Sequence, residues 1–406
     1  MPMDNWEKTY LNIWIAQFTS IMGFAFALPF APFYIQELGV TDPAEVKIWV
    51  GLFAAATPLS LAIFSPLWGA ASDRFGHRLM MLRANFSAVV VLALMGLVNS
   101  VEALIALRFL QGAFTGTLTA SQIMVAAHAP SDRSGRALGS LTAAVFSGAM
   151  FGAALGGLFS EWLGYRAVFF VGSGLLFLSA CLILFGTRSL KQPPTPATES
   201  NNERPAQTSR QAFWLALPIL LLIVGVSYVR QFDMAMLPLL VQEIHGKLDG
   251  VSMWTGALLA ISSIAGMLSG VLLGRMADRM HPARLGIGSA FIAAVAMIPH
   301  AFATAVWMLF PARFAMMFCS GGLEAITQIW LAKTTPQRHR GIIFGWASTA
   351  RAIGWVAAPL SSGAIGAAFG IRPVYVVGSV LFLLIIPLMW ITVQRSRANE
   401  TAEDGV

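Results

Sequence analysis

The sequence predicts an all-α membrane protein whose twelve transmembrane helices form two pseudo-symmetric six-helix bundles. Two observations predict this class. Of the 406 residues, 57% are hydrophobic and only 11% are charged, too few charges to cover the surface of a soluble protein of this length. A residue pattern also occurs twice, because Gly69, Asp73 and Arg74 recur as Gly274, Asp278 and Arg279. Such a repeat indicates duplication of a six-helix unit.

Twelve apolar stretches are each long enough, at roughly 20 residues or more, to cross a hydrocarbon core about 30 Å thick. They lie near residues 10–34, 47–70, 79–98, 103–126, 137–160, 166–186, 212–241, 250–275, 284–303, 305–332, 342–368 and 373–393. Because lipid leaves no backbone donor a water partner, we expect every stretch to be helical. They are numbered below as spans 1 to 12.

The distribution of Lys and Arg predicts the orientation, since short loops rich in these residues stay in the cytoplasm. With both termini inside, the predicted outer loops hold only Lys47, Arg166, Lys247 and Arg372 of the 26 basic residues. This predicts a multi-pass protein of the inner membrane with both termini cytoplasmic. Topology also accounts for the net charge of +7, so the charge does not indicate nucleic-acid binding.

A Pro-rich polar stretch separates the two halves. Residues 188–211 include Pro193, Pro194, Pro196 and Pro205 among many polar residues, a composition that cannot bury a core. The predicted domains are therefore residues 1–187, a cytoplasmic linker over 188–211, and residues 212–406.

Four motifs carry a resemblance to a known family. They are Gly69-Ala-Ala-Ser-Asp73-Arg74-Phe-Gly76-His77-Arg78, Gly23-x5-Pro29-x2-Pro32, Leu104-x3-Arg108-x2-Gln111-Gly112, and Gly148-x3-Gly152-x3-Gly156-Gly157. Together they resemble the twelve-helix drug:proton antiporter branch of the major facilitator superfamily over nearly the whole chain. The resemblance implies the major facilitator fold and proton-driven multidrug efflux. The chain departs from the family pattern at Ala153 and His77, where the family usually has Pro and Arg.

The two Gly–Asp–Arg loops are candidates for a conformational gate. Asp73 ends span 2 on the side where span 11 begins, and a helix N-terminus attracts a carboxylate. Gly69 would let the two helices approach closely. The alternative is a solvated turn without a gating role. The candidate gate residues are Gly69, Asp73, Arg74, Gly76 and Arg78 in the first copy and Gly274, Asp278 and Arg279 in the second.

Small residues at every fourth position of span 5 predict close helix packing. Gly148, Gly152, Gly156 and the adjoining Gly157 form this row. Helices in lipid associate by close backbone contact, so the row marks a seam between helices.

Six charged residues lie within the predicted spans: Arg108, Arg230, Asp233, Arg313, Glu324 and Arg351. Charges in the membrane are costly and therefore indicate function. Counting ~1.5 Å per residue from the span ends matches the depth of Asp233 to that of Arg108, and Glu324 to Arg351. A proton-coupled transporter needs a carboxylate near the midplane. Asp233 is the first candidate and Glu324 the second.

Asp233 has an alternative explanation as part of a local ion pair, and Arg108 has a role that the family resemblance implies. Asp233 and Arg230 lie three residues apart, so they are able to neutralise each other locally. Arg108 matches the family's helix 4 arginine, which the resemblance implicates in proton relay. Arg108 and Arg351, together with Phe24, Tyr228 and Phe232, are also candidates to line a substrate cavity for hydrophobic amphiphiles.

Several absences restrict the function. The chain has no phosphate-binding loop, no H-E-x-x-H and no G-x-S-x-G, so the sequence favours neither ATP hydrolysis nor an intramembrane hydrolase. We expect no enzyme activity, cofactor, metal site or nucleic-acid partner. The expected protein is a monomeric exporter of small hydrophobic or amphiphilic compounds in exchange for protons. Two alternatives are an exporter of one metabolite, such as a siderophore, and a non-transporting receptor.

Overall fold

The computed structural model describes residues 5–114, 121–122, 124–125, 134–187, 205–280, 282–334 and 340–403. The described part of the first half is built from seven helices, which are α1 (Asn5–Ala27), α2 (Ala31–Glu37), α3 (Pro43–Phe75), α4 (His77–Met95), α5 (Val101–Phe114), α6 (Ser134–Leu163) and α7 (Tyr165–Gly186). The second half adds α8 (Pro205–Phe232), α9 (Leu237–His245), α10 (Val251–Arg279), α11 (Pro282–Phe302), α12 (Leu309–Thr334), α13 (Arg340–Phe369) and α14 (Ile371–Glu403).

The all-helical membrane fold predicted from the sequence is confirmed. Within the described ranges, eleven segments are long and apolar enough to cross a membrane, and they match every predicted span except span 4. Span 4 is helical over Val101–Phe114, and its continuation lies largely outside the described residues. Most of the predicted linker, residues 188–204, also lies outside them, whereas its last residues already belong to α8.

Spans 1 and 7 are each broken into two helices, which the sequence analysis did not predict. Span 1 is interrupted by a 3₁₀ turn over Leu28–Phe30 between α1 and α2. Span 7 is interrupted by a turn over residues 233–236 between α8 and α9. Pro32 and Pro238, which are equivalent in the two repeats, lie just after these breaks. Because proline lacks an N–H and clashes with the preceding turn, it favours such a break.

Two compact units result, one formed by Met1–Ala197 with Leu237–Ile264 and the other by Thr198–Met236 with Ala265–Val406. In the first unit α1 packs between α6 and α7, and α4 packs on α7. In the second unit α8 packs on α13 and α14, and α11 packs on α14. These packing relations correspond between the repeats, as expected of duplicated six-helix units.

Candidate functional site

One carboxylate and two arginines form a triad within the second unit. Arg230 of α8 donates a hydrogen bond from Nη1 to Oε2 of Glu324 on α12. Arg351 of α13 places Nε 3.2 Å from the other carboxylate oxygen, Oε1. The side chains are 22% exposed for Arg230 and 25% for the other two. Three helices are thus connected through one carboxylate that remains partly accessible.

Asp233 and Arg313 form a second and much more enclosed ion pair. Arg313 of α12 donates from Nη1 to Oδ2 of Asp233, and the two side chains are 0% and 1% exposed. Arg313 also reaches the sulfur of Met234, with Nη2 3.0 Å from Sδ. Asp233 lies in the break between α8 and α9, where its carbonyl accepts the N–H of Met236 at 3.0 Å. The break therefore places a carboxylate in the interior of the unit.

A buried histidine adjoins this pair. His300 of α11 is 0% exposed and stacks on the ring of Tyr375, with ring centroids 5.4 Å apart and an interplanar angle of 5°. Its Nδ1 lies 3.1 Å from the carbonyl oxygen of Ala296, and its ring interacts electrostatically with Arg313 and Asp233. Sequence reasoning missed His300, because a single histidine near a helix end carries no spacing signal.

The observed pairing agrees with one of the predicted pairs and differs from the other. Glu324 and Arg351, matched in depth by the residue count, form an ion pair. Asp233 binds Arg313 and not Arg108. Arg230 contacts Glu324, so the local Arg230–Asp233 pair is not what this structure contains.

Arg108 contacts residues of its own unit. Its Nη1 donates to Oε1 of Gln111, one turn along α5, and its guanidinium lies 4.7 Å from the ring centroid of Phe53 on α3. Its carbonyl accepts the hydroxyl of Thr57 at 3.0 Å. A hydrogen bond and an aromatic face therefore hold this cation between α3 and α5.

The aromatic cavity candidates differ in exposure. Tyr228 is partly exposed, and its hydroxyl lies 2.6 Å from Oγ of Ser361 on α13. Phe232 is fully buried, and its ring centroid lies 5.6 Å from that of Tyr228. Phe24 is partly exposed on α1. Of the two aromatic candidates on α8, only Tyr228 has accessible surface.

The predicted glycine row contacts two different helices. A Cβ added at Gly148, Gly152 or Gly156 would collide with the carbonyl oxygens of Phe18, Met22 and Phe26 on α1, respectively. A Cβ at Gly157 would instead collide with the backbone of Ser252 on α10. Three of the glycines therefore allow α6 to pack closely on α1 inside the first repeat, and of the four only Gly157 contacts the second repeat. The row is a packing seam, as small residues in membrane helices generally are.

Gly76 of the first gate loop ends α3, with a φ of 85°. Arg78 connects the start of α4 to the end of α7, because its Nη2 lies 2.7 Å from the carbonyl oxygen of Leu184 and its Nε lies 3.2 Å from Oγ1 of Thr187. Arg74 and Arg279 are exposed.

The remaining gate candidates are the two aspartates and the two glycines that precede them. The side chains of Asp73 and Asp278 lie outside the described part of the chain. No described atom of a neighbouring helix lies within 4 Å of a Cβ built at Gly69 or Gly274. The close approach predicted at Gly69 is therefore not made by the residues that the structure describes.

The chain is similar to known membrane proteins in sequence and in fold. The family model described as Major Facilitator Superfamily matches residues 13–308 and 255–405. The chain is 30% identical to multidrug resistance protein MdtG of Citrobacter koseri over 399 residues, with 98% of each chain covered. It is also 30% identical to MdtG of Salmonella arizonae over 393 residues, with 97% of each covered.

Two solved structures show the same fold. A bacterial homologue of the human lysosomal transporter Spinster, in an inward-facing and unoccupied conformation, superposes with a TM-score of 0.78 at 14% identity, covering 98% of this chain and 99% of that one. The human organic anion transporter MFSD10 superposes with a TM-score of 0.66 at 16% identity, covering 95% and 100%. Repeat, fold and family match agree, and the chain belongs to the Major Facilitator Superfamily, a family of membrane transporters and not of enzymes.

Proposed function

We propose that this protein exports small hydrophobic or amphiphilic compounds across the inner membrane in exchange for protons, by alternating access. The observation that carries the proposal is the triad, in which Glu324 lies between Arg230 and Arg351 within membrane-spanning helices and stays partly exposed. Ionisable residues in this setting typically mark proton pathways. The multidrug resistance relatives support export as the direction of transport.

Protonation of Glu324 would weaken the contacts among three helices. Deprotonated Glu324 holds α8 and α13 to α12 through two cations. Adding a proton removes the negative charge that both arginines contact, so the three helices are free to rearrange. In this scheme a proton and a substrate favour different arrangements of the same helices, which is what exchange requires.

Asp233 is the second carboxylate of the proposed proton pathway. Its pair with Arg313 is enclosed in this conformation, so proton exchange at Asp233 requires a rearrangement that Glu324 does not need. Arg108 is proposed to act in the first unit, and Tyr228, Phe24 and Arg351 to border the substrate. The predicted domains, the cytoplasmic gates, the monomeric state and the cytoplasmic termini belong to the same proposal.

The experiment is substrate-induced proton release from the purified protein in weakly buffered detergent solution. A panel of amphiphilic drugs and siderophores is added at pH 7, and released protons are followed with a pH dye. We expect release with several drugs and none with Glu324→Gln. Release with one siderophore alone would favour a dedicated metabolite exporter. The absence of release with every compound, together with unchanged cellular function of Asp233→Asn and Glu324→Gln, would favour a receptor.

A further inference from the structure

One cation of the first unit lies on the lipid-facing side of its helix. Arg83 belongs to α4, where it is in a row with Leu79, Phe86 and Val90 at spacings of three and four residues. Such spacing places the four side chains on one face of the helix. The three apolar members are exposed, and in a membrane-spanning helix an exposed apolar face contacts lipid. Arg83 is therefore a charged residue within an apolar surface.

An aromatic ring holds the guanidinium of Arg83 in place. The central carbon of the guanidinium lies 3.3 Å from the ring centroid of Trp68 on α3. The indole N–H of Trp68 donates in turn to the carbonyl oxygen of Ala113 on α5, which fixes the orientation of the ring. A guanidinium is attracted to the face of an indole, more strongly where water is excluded. The cation is therefore positioned by contacts within the first unit.

Arg83 has hydrogen-bond donors to spare. Its Nε and Nη1 are buried, and neither has a hydrogen-bond partner among the residues that the structure describes. A buried charged donor that lacks an acceptor is unfavourable. Negatively charged oxygens satisfy guanidinium donors best, because the charge strengthens each hydrogen bond. The chemistry of this position therefore suits an anion.

The depth of the guanidinium corresponds to the level of lipid headgroups. Arg83 lies five residues inside the apolar segment that begins at Arg78, roughly 8 Å by helix rise. Its side chain points back toward the start of α4, as helical side chains do. There it meets Trp68, which adjoins the end of the apolar segment of α3 at Gly69. Arginine and tryptophan are both typical of the edge of the hydrocarbon region.

Comparison of the repeats shows that the fold does not require this cation and ring. At some equivalent positions the residue is the same, as at Gln36 and Gln242, which exchange two side-chain hydrogen bonds of 2.9 Å each. The positions 205 residues after the tryptophan and the arginine are instead Leu273 and Gly288. Helices α10 and α11 therefore form with neither group. The pair is specific to the first repeat, which indicates a role other than folding.

We propose that Arg83 and Trp68 form a binding site for the phosphate group of an anionic phospholipid, whose acyl chains lie along the apolar face of α4. The guanidinium donates to the phosphate oxygens, and the indole keeps the guanidinium at headgroup depth. Leu79, Phe86 and Val90 provide the surface for the chains. The inference requires only that α3 and α4 cross the membrane, and it is independent of the proposed transport of drugs and protons.

The loop beside the site favours an anionic headgroup over a zwitterionic one. Between α3 and α4 the sequence has two arginines, Arg74 and Arg78, and one aspartate, Asp73. The loop therefore carries a net positive charge, which attracts a negatively charged headgroup. A zwitterionic headgroup also offers a phosphate, but its ammonium group cancels that attraction.

The test measures phospholipid binding to the purified protein by native mass spectrometry from detergent. Dioleoyl phosphatidylglycerol is compared with dioleoyl phosphatidylcholine, which has the same acyl chains but no net charge. A parallel arm adds excess inorganic phosphate, which separates a lipid site from a site for a soluble anion. Arg83→Gln removes the cation of the site. Arg284→Gln is the matched control, because it removes an exposed cation at the start of the equivalent helix, α11.

We expect the unsubstituted protein to bind the first phosphatidylglycerol about tenfold more tightly than phosphatidylcholine, the size expected for one charge-assisted hydrogen bond. Excess phosphate should not displace the lipid. Arg83→Gln should lose the preference, and Arg284→Gln should keep it. Trp68→Leu, which introduces the residue found in the second repeat, should reduce the preference about threefold because the guanidinium is no longer held.

Four results would overturn the proposal: equal binding of the two lipids by the unsubstituted protein, an unchanged preference in Arg83→Gln, an equal loss in Arg284→Gln, or displacement of the lipid by inorganic phosphate. If Arg83→Gln does not yield folded protein, Trp68→Leu decides, and an unchanged preference in that variant contradicts the site. The binding measurement requires no transport, so its outcome is separate from that of the proton-release experiment.

Discussion

The two charge clusters of the second unit contain similar groups but differ in exposure and stoichiometry. Asp233 and Arg313 match one anion with one cation and are fully enclosed. Glu324 faces two cations, and all three side chains of the triad are about a quarter exposed. An enclosed, balanced pair is costly to disturb, whereas a partly exposed triad with excess positive charge is able to exchange partners with water, protons or a ligand. The comparison distinguishes an enclosed ion pair, in which a lost charge should mainly reduce stability, from a partly exposed triad, in which a lost charge should mainly affect the proposed proton exchange.

The largest expected effect comes from breaking the enclosed pair on one side. Asp233→Asn removes the carboxylate from a fully enclosed ion pair, and removing one partner of a buried ion pair typically costs about 3–5 kcal/mol. We expect a much lower yield of monodisperse protein and a clearly lower unfolding temperature in detergent. An unfolding temperature equal to that of the unsubstituted protein would show that the Asp233–Arg313 ion pair does not contribute to stability.

Neutralising both members tests whether Asp233 also carries protons. Asp233→Asn combined with Arg313→Gln removes both charges of the buried pair, so most of the lost stability should return. Proton-driven efflux in proteoliposomes should still be absent, while downhill flux of the same drug persists. If this folded double variant pumps normally, Asp233 has a purely structural role.

In the triad, unlike in the Asp233–Arg313 pair, we expect a substitution to reduce transport strongly and stability only slightly. Glu324→Gln leaves two arginines that are only partly buried, so we expect a stability loss of only about 1 kcal/mol. Proton-driven efflux should nevertheless be lost. The measurement pairs thermal unfolding with transport driven by an imposed pH gradient. A strongly destabilised protein, or one that still pumps, would remove the distinction between the two clusters.

The smallest effects are expected from the two cations of the triad. Arg230→Gln removes the direct hydrogen bond to Glu324, and Arg351→Gln removes the 3.2 Å ion pair. Either variant leaves Glu324 one cation, so each should cost less than about 1 kcal/mol of stability. We expect Arg230→Gln to reduce the rate of drug efflux more than Arg351→Gln does. A larger effect of Arg351→Gln would point to a direct contact of Arg351 with substrate.

Most of the fold was predictable because the signal for it is local. Apolar runs of membrane-spanning length and the repeated Gly–Asp–Arg pattern define the helices and the duplication. The breaks at Leu28–Phe30 and at Asp233 were missed because a hydropathy pattern does not report backbone continuity. In the sequence, only Pro32 and Pro238 indicated that these two helices are interrupted.

The candidate site was only partly predictable, because a residue count gives depth along a helix but not which helices are neighbours. It paired Glu324 with Arg351, yet assigned Asp233 to Arg108. Asp233 and Arg313 each lie eight residues from the predicted outer end of their span, at 241 and 305, or roughly 12 Å by helix rise. The count therefore allowed the observed pair as well, and only the packing of α12 near the end of α8 selects it.

The reciprocal bond between Gln36 and Gln242 has a consequence for the origin of the chain. The two residues are equivalent in the repeats, 206 positions apart, and each amide gives the other one N–H and accepts one in return. Because the same residue type stands on both sides of this contact, two identical chains would be able to form it. A half-length ancestor would have formed it with another copy of itself, and any substitution would then have altered both sides at once. In a single chain that carries both copies, each of the two residues is encoded separately, so that one is free to change without the other.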